Sequence, residues 1–211
     1  IGTDLFTYKQ NHYLVIMDYY SKFIEFRKLK DQTSEEVIEA LKSIFSSQGI
    51  PEEIVSDNGP CYDSKEFASF ARDYDFTHTT SSPKYSRSNG QAESAVKILK
   101  GFMKKSSDPH AALLEFNTTP IPDLKATPSQ MLNSRRLRSK VPTATTLLLP
   151  ATPENKQQKL KMKQMTQKKL HDRKALRKPS PQLEPDETVR VHHKGKWKTA
   201  NIVEKLPNDS Y

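Results

Sequence analysis

The sequence predicts an α/β domain built on a five-stranded mixed sheet flanked by helices. A basic helical linker and a short β segment follow it. Three observations support this reading. Three apolar runs with short links fill residues 1–29, the pattern of an antiparallel meander. Helical periodicity then alternates with two more strand-like runs as far as Met103. From Glu154 onward the chain turns basic and only thinly apolar, which confines the core to the front part.

Composition sets the outer bounds. The chain has 211 residues, a net charge of +9 and a pI near 9.4. Hydrophobic residues make up 34% and mean hydropathy is −0.78, so a single core is concentrated in one region. The lone Cys61 excludes a disulfide framework and a cysteine-based zinc site within this chain. No apolar run is long enough to span a bilayer, and the start shows no secretory signal. Beginning without Met inside a strand-like run, the sequence reads as a piece of a longer polypeptide. Its basic balance points to a polyanionic partner.

Each element has its own signal. Ile1 to Tyr8 is the first strand. His12 to Met17 is the second, apolar on both faces as an interior strand is. Lys22 to Leu29 alternates and is the third. Thr33 and Glu36 have capping-box spacing, and Val37, Ile38, Leu41, Ile44 and Phe45 follow at helical intervals until Gly49. Ile54-Val55 is the fourth strand; reached through a helix, it should lie parallel to a strand already present. Ser64 to Tyr74 is a short helix with Phe67, Phe70 and Ala71 inward, and Phe76 to Thr80 is the fifth strand. A loop from Ser81 to Ser88 leads to a long helix, Gln91 to Met103, with Ser88 or Asn89 as its cap. Helices from Asp108 to Phe116 and from Thr127-Pro128 complete the domain, and Asn117 reads as turn chemistry between them. The order β-β-β-α-β-α-β-α is that of ribonuclease-H-like domains.

Behind this domain the pattern weakens. Residues 139–153 read as a connector lying on the core. Glu154 to Lys178 holds ten Lys or Arg against two acids, with Leu160, Met162, Met165 and Leu170 as a thin stripe, so it reads as a basic helix. Leu183 to Tyr211 switches to period two. We therefore divide the chain into a core at 1–138, a connector and basic linker at 139–182, and a partial β unit at 183–211. His192-His193 lacks a further Cys or His nearby and reads as a pair of strand residues rather than a metal site.

The chemistry sits in three acids. Asp4 lies on the first strand, Asp57 at the tip of the fourth, and Glu93 in the first turn of the long helix. Three acids at one sheet edge make an all-oxygen site for a divalent metal. Asp18, ending the second strand, is the rival for the first position. Glu93, Lys97 and Lys100 share one helical stripe. Taken alone, such a pairing is a surface contact of roughly 0.3 kcal/mol; beside an acidic metal site it can hold phosphates.

Thirty-five residues separate Asp57 from Glu93. Around the acids stand Gly2-Thr3-Asp4-Leu5-Phe6, Asp18-Tyr19-Tyr20-Ser21-Lys22, Ser56-Asp57-Asn58-Gly59-Pro60, Thr80-Ser81-Ser82-Pro83 and Ser88-Asn89-Gly90-Gln91-Ala92-Glu93. Together they resemble integrases of gypsy-type LTR retrotransposons, over almost the whole chain. The resemblance implies a ribonuclease-H-like integrase core followed by a truncated SH3-like segment opening at Leu183. It implies 3′-end processing and strand transfer of element DNA by two Mg²⁺ or Mn²⁺ ions, with Asp4 bridging both, Asp57 holding one and Glu93 the other. It also makes Lys97, Lys100, Arg87, Asn89, Gln91, Arg135 and Arg136 the expected DNA contacts. The partners it implies are element ends, target DNA and further copies of the chain, in the nucleus. Ser86 and Arg87 stand where the family commonly has Pro and Gln, and Cys61 where Gln is common. Loss of the Pro should loosen the lid, and Arg87 adds either a phosphate contact or a misplaced charge. The alternatives are a domesticated, inactive DNA-binding or scaffold protein and a ribonuclease H; the approach through Asn89-Gly90-Gln91 to Glu93 argues against the latter.

Overall fold

The computed structural model describes residues 1–81, 90–122, 124–150, 161–162, 165–166, 186–193 and 196–203, the side chains of residues 192, 193 and 196 excepted. The chain divides into two compact units, Ile1–Leu160 and Lys161–Tyr211.

In the first unit, β1 (Gly2–Tyr8), β2 (Asn11–Met17) and β3 (Ile24–Leu29) form the expected antiparallel meander. Lys9 and Gln10, at φ 45° and 62°, close the first hairpin with the left-handed pair that suits strand twist. β4 (Glu53–Ser56) runs parallel to β1, and β5 (Thr77–Thr80) parallel to β4. The strand order is β3-β2-β1-β4-β5, so the strand bearing Asp4 is central.

Helices cover both faces. α1 (Ser34–Gln48) and α2 (Lys65–Asp73) pack with Leu14, Ile16 and Ile54 on one side. α3 (Gly90–Lys105) and α4 (Pro109–Thr118) pack with Phe6, Val15 and Met17 on the other. This two-sided burial explains the unbroken apolar run Leu14-Val15-Ile16-Met17. Phe67 and Phe70 fill the first core with Phe45 and Phe76, each buried aromatic contributing about 1.5–3 kcal/mol. α5 (Pro128–Asn133) packs on α4 and starts in a complete capping box between Thr127 and Gln130.

Several expectations change. Thr33 caps α1, but the reciprocal arm is absent: Asp31 takes the Thr33 N–H at 2.9 Å, and Glu36 instead accepts from Lys30 N–H at 3.1 Å. The third strand begins at Ile24, because Lys22 sits at φ 62° in a turn that Asp18 closes through Ser21. Asn117 is not a turn residue. It lies inside α4, 4% exposed, and its amide grips both backbone groups of Ile24, donating to the carbonyl at 2.9 Å and accepting from the N–H at 3.1 Å. The connector meets α4 at Lys140, whose N–H donates to Glu115 at 3.3 Å, but its apolar residues stay out: Val141, Leu147 and Leu149 are exposed beside a short 3-10 turn at Thr145–Leu148.

In the second unit, Met162 and Met165 are exposed. β6 (Thr188–His193) and β7 (Lys196–Asn201) pair antiparallel as a two-stranded sheet.

Candidate active site

Register brings the first two acids level. Gly2 pairs with Val55 across the parallel β1–β4 junction. Two residues further along each chain, Asp4 faces the position of Asp57, just past the end of β4. Alternation along β1 sets Gly2, Asp4, Phe6 and Tyr8 on one face. Phe6 packs in the cluster formed with α3, so Asp4 belongs to the α3 side.

The third acid arrives by helix length. The Tyr8 hydroxyl donates to the Met103 carbonyl at 3.1 Å, which pins the end of β1 to the end of α3. Lys100 Nζ lies 5.6 Å from the Phe6 ring centre, so strand and helix run in the same direction. Stepping back from Tyr8 to Asp4 covers ~13 Å of strand. That distance spans about nine residues of helix, which reaches the turn holding Glu93. Ala92, Ala95, Val96 and Leu99 are the buried face that fixes this rotation.

Electrostatics records the meeting. The Asp4 carboxyl is raised from its ordinary 3.8 to about 6. Burial is the largest cause; the Leu5 N–H, donating at 2.8 Å, opposes it, the charges of Asp57 and Glu93 add to it, and Lys100 opposes it. Asp57 is exposed and accepts from Gly59 N–H at 3.2 Å. Among the described residues, no three His, Cys, Asp or Glu groups close to ligating distance of one point. The donor set itself suits a hard divalent cation. All three groups are carboxylates, and the central one pays for burial beside two like charges that a cation would neutralise.

The close surroundings explain the short words in the sequence. A Cβ on Gly2 would stand 2.7 Å from the Tyr19 ring, so only Gly lets Tyr19 cover the start of β1. Lys22 donates to the Tyr19 carbonyl at 2.6 Å and to the Gln91 side-chain oxygen, tying the β2–β3 turn to the first turn of α3. Gln91, expected as a DNA contact, thus has an internal partner. Asp18 turns away from the acids: its carboxylate takes the Ser21 N–H and hydroxyl, each at 2.6 Å, and it lines a groove of about 210 Å³ beside Ile44 and Phe45. Cys61 is a buried thiol pushed up to about 11 by burial and by Asp57, which makes it inert.

The other expected contacts separate. Lys97 and Lys100 are exposed on α3, on the stripe that begins at Glu93. Arg135 is exposed and Arg136 half-buried, just beyond α5. Arg87 and Asn89 lie outside the described residues, as does the segment 82–89 that contains them. Sequence reasoning missed Ser56 and His78, which form a hydrogen-bonded pair of 2.8 Å beneath Asp57. The only signal was their place on neighbouring parallel strands.

Comparison with known proteins agrees with this fold. The integrase core domain family matches residues 2–86. The uncharacterized protein K02A2.6 of Caenorhabditis elegans is 31% identical over 205 residues, which is 92% of this chain but 16% of that protein. The chain therefore spans a small part of that relative's length. The simian T-cell lymphotropic virus intasome structure, in complex with PP2A regulatory subunit B56 gamma, aligns with a TM-score of 0.58 at 30% identity, covering 68% of this chain and 56% of that one. The magnesium complex of the HTLV-2 integrase catalytic core, in its dimeric form, aligns with a TM-score of 0.52 at 26% identity, covering 63% and 93%. The mixed five-stranded sheet is thus the ribonuclease-H-like one of integrase cores, and residues 2–86 of the first unit are similar to the integrase core domain family.

Proposed function

We propose that this chain is the catalytic part of an integrase from a gypsy-type LTR retrotransposon or a host protein derived from one. It trims the 3′ end of element DNA with water and then joins that end to target DNA. One observation supports the reading most: Asp57 and Glu93, distant in sequence, both act by their charge on Asp4. Asp4, Asp57 and Glu93 would hold Mg²⁺ or Mn²⁺; the bound ions supply charge neutralisation at the reacting phosphate and activation of the attacking oxygen. The magnesium in the related HTLV-2 core supports that choice of metal.

The chain's own groups do the positioning. Asp4 sits on the central strand, paired with Val15 of β2 and two residues past the Gly2–Val55 pairing that joins β1 to β4, so its backbone is held by the sheet. Asp57 and Glu93 approach from a strand end and a helix start, which allows small adjustments around that fixed point. Lys97 and Lys100 extend the site along α3 and would carry backbone phosphates, giving salt-sensitive binding with little base preference. Arg135 and Arg136 would add to the same backbone field. The reading entails action in the nucleus and as an assembly of several copies; the dimeric HTLV-2 core and the simian intasome support the latter. No described helix is long and apolar enough to cross a membrane.

The test is strand transfer on a labelled duplex with Mn²⁺, with disintegration of a branched substrate as the form least dependent on end sequence. Joining by this chain that vanishes in Glu93→Gln is the expected result. DNA binding without joining, persisting in a longer polypeptide that includes this chain, would replace the reading with a transposon-derived DNA-binding or scaffold protein.

A further inference from the structure

The support beneath Asp57 comes from another strand. Asp57 stands one residue past β4, and its carboxylate is tethered by Gly59 N–H at 3.2 Å. Its peptide is held more firmly. The Ser56 hydroxyl donates to the Asp57 carbonyl at 2.7 Å and lies 2.8 Å from His78 Nε2 on β5. A hydroxyl carries one hydrogen. The carbonyl can only accept, so that hydrogen points to Asp57. The contact with His78 then requires a proton on Nε2, which leaves Nδ1 bare in the neutral ring. The ring is wedged in place, edge-on to Phe67 at 4.7 Å and tilted against Tyr62 at 6.1 Å. Ser56 is fully buried, so no water competes for its hydroxyl. Ser81 N–H donates to the Ser56 carbonyl at 2.9 Å and ties the same two strands just beyond.

We propose that His78 is a positioning residue for the Asp57 carboxylate, acting through the Ser56 hydroxyl. The relay runs from His78 Nε2–H to Ser56 Oγ–H to the Asp57 carbonyl. It fixes the peptide plane from which the carboxylate leaves the backbone. Burial holds the His78 pKa below its ordinary value, with Asp63 opposing, which keeps the ring in the neutral form. The value of this positioning for catalysis rests on the proposed role of Asp57 as a metal ligand; the relay itself does not.

NMR of the whole chain tests it. The ¹⁵N shifts of His78 should report the Nε2–H tautomer. The Gly59 amide, which touches Asp57 Oδ1, reports the direction of the carboxylate. His78→Leu keeps an apolar side chain against Phe67 but lacks a donor; Ser56→Ala removes the hydroxyl. Each should move the Gly59 amide, and the double variant should move it no further than Ser56→Ala alone. Mn²⁺ titrated into the same samples should bind about tenfold more weakly in both variants, the loss typical of removing a support behind a metal ligand. An Nδ1–H tautomer, an unmoved Gly59 amide, Mn²⁺ affinity equal to the parent's, or additive effects in the double variant would overturn the proposal. Where His78→Leu fails to fold, the tautomer in the parent and the smaller Ser56→Ala change decide it. A Gly59 amide that responds as expected in a parent protein that takes up no Mn²⁺ upholds the relay and removes the metal-dependent reading instead.

Discussion

Replacing Asp4 by Asn should make the protein more stable at neutral pH while abolishing the proposed chemistry. The unfolded chain releases the Asp4 proton near 3.8 and the folded chain near 6. Between those values the native state holds a proton that the unfolded state has lost. Native stability therefore falls as pH rises through the window, and the full cost is present above about 6. A tenfold change in a proton equilibrium is about 1.4 kcal/mol, so the whole difference amounts to ~3 kcal/mol. Asp4 keeps part of its surface in water, and solvent screening reduces this to ~1–2 kcal/mol. Asn retains an oxygen for the Leu5 N–H, so the local hydrogen bond survives. For a unit of this size the gain corresponds to about 3–6 °C in Tm. The assay is thermal unfolding of both proteins from pH 4 to pH 8 in a metal-free buffer. The advantage of Asp4→Asn should be near zero at pH 4 and full by pH 7. Equal melting at pH 8, or a gain independent of pH, would refute the coupling. Added Mg²⁺ should raise the Tm of the parent and leave that of the variant unchanged, since a ligand stabilises only the state that binds it.

Three further outcomes follow from other contacts. Asp57→Asn and Glu93→Gln should each bring the Asp4 titration down toward its ordinary value, because each removes a charge that raises it; ¹³C carboxyl NMR reads this directly. Asn117→Ala should cost about 2–4 kcal/mol in urea unfolding, since it strands the N–H and carbonyl of Ile24. Lys97→Ala and Lys100→Ala should each lower the slope of log affinity against log salt by about one on duplex DNA, as expected for the loss of a single phosphate contact.

Much of the fold was legible because its signals were local. The cap at Thr33, the stop at Gly49 and the two-sided apolar run of β2 each state their element without reference to the rest of the chain. The parallel placement of β4 followed from a crossover rule rather than from any residue. What escaped was tertiary. Nothing next to Asn117 announces that its amide will meet a strand ninety-three residues earlier. The Glu36 side chain could serve Thr33 or Lys30, and only the position of Asp31 decides. The site shows the same division. The acids were singled out from their spacing and surrounding words. The Ser56–His78 pair and the Lys22–Gln91 tie were not, because each joins residues whose neighbours carry no common pattern.

Asn117 also bears on solubility. β3 is an outer strand, and an open outer strand offers its N–H and carbonyl groups to any extended peptide that drifts past. At Ile24 both groups already have a partner in one side-chain amide, which imitates a single residue of a sixth strand. A second sheet cannot zip onto β3 from that end without first evicting α4. Concentrated protein should therefore resist edge-to-edge stacking along this border, and loss of that amide would leave a folded chain newly prone to forming β-rich aggregates.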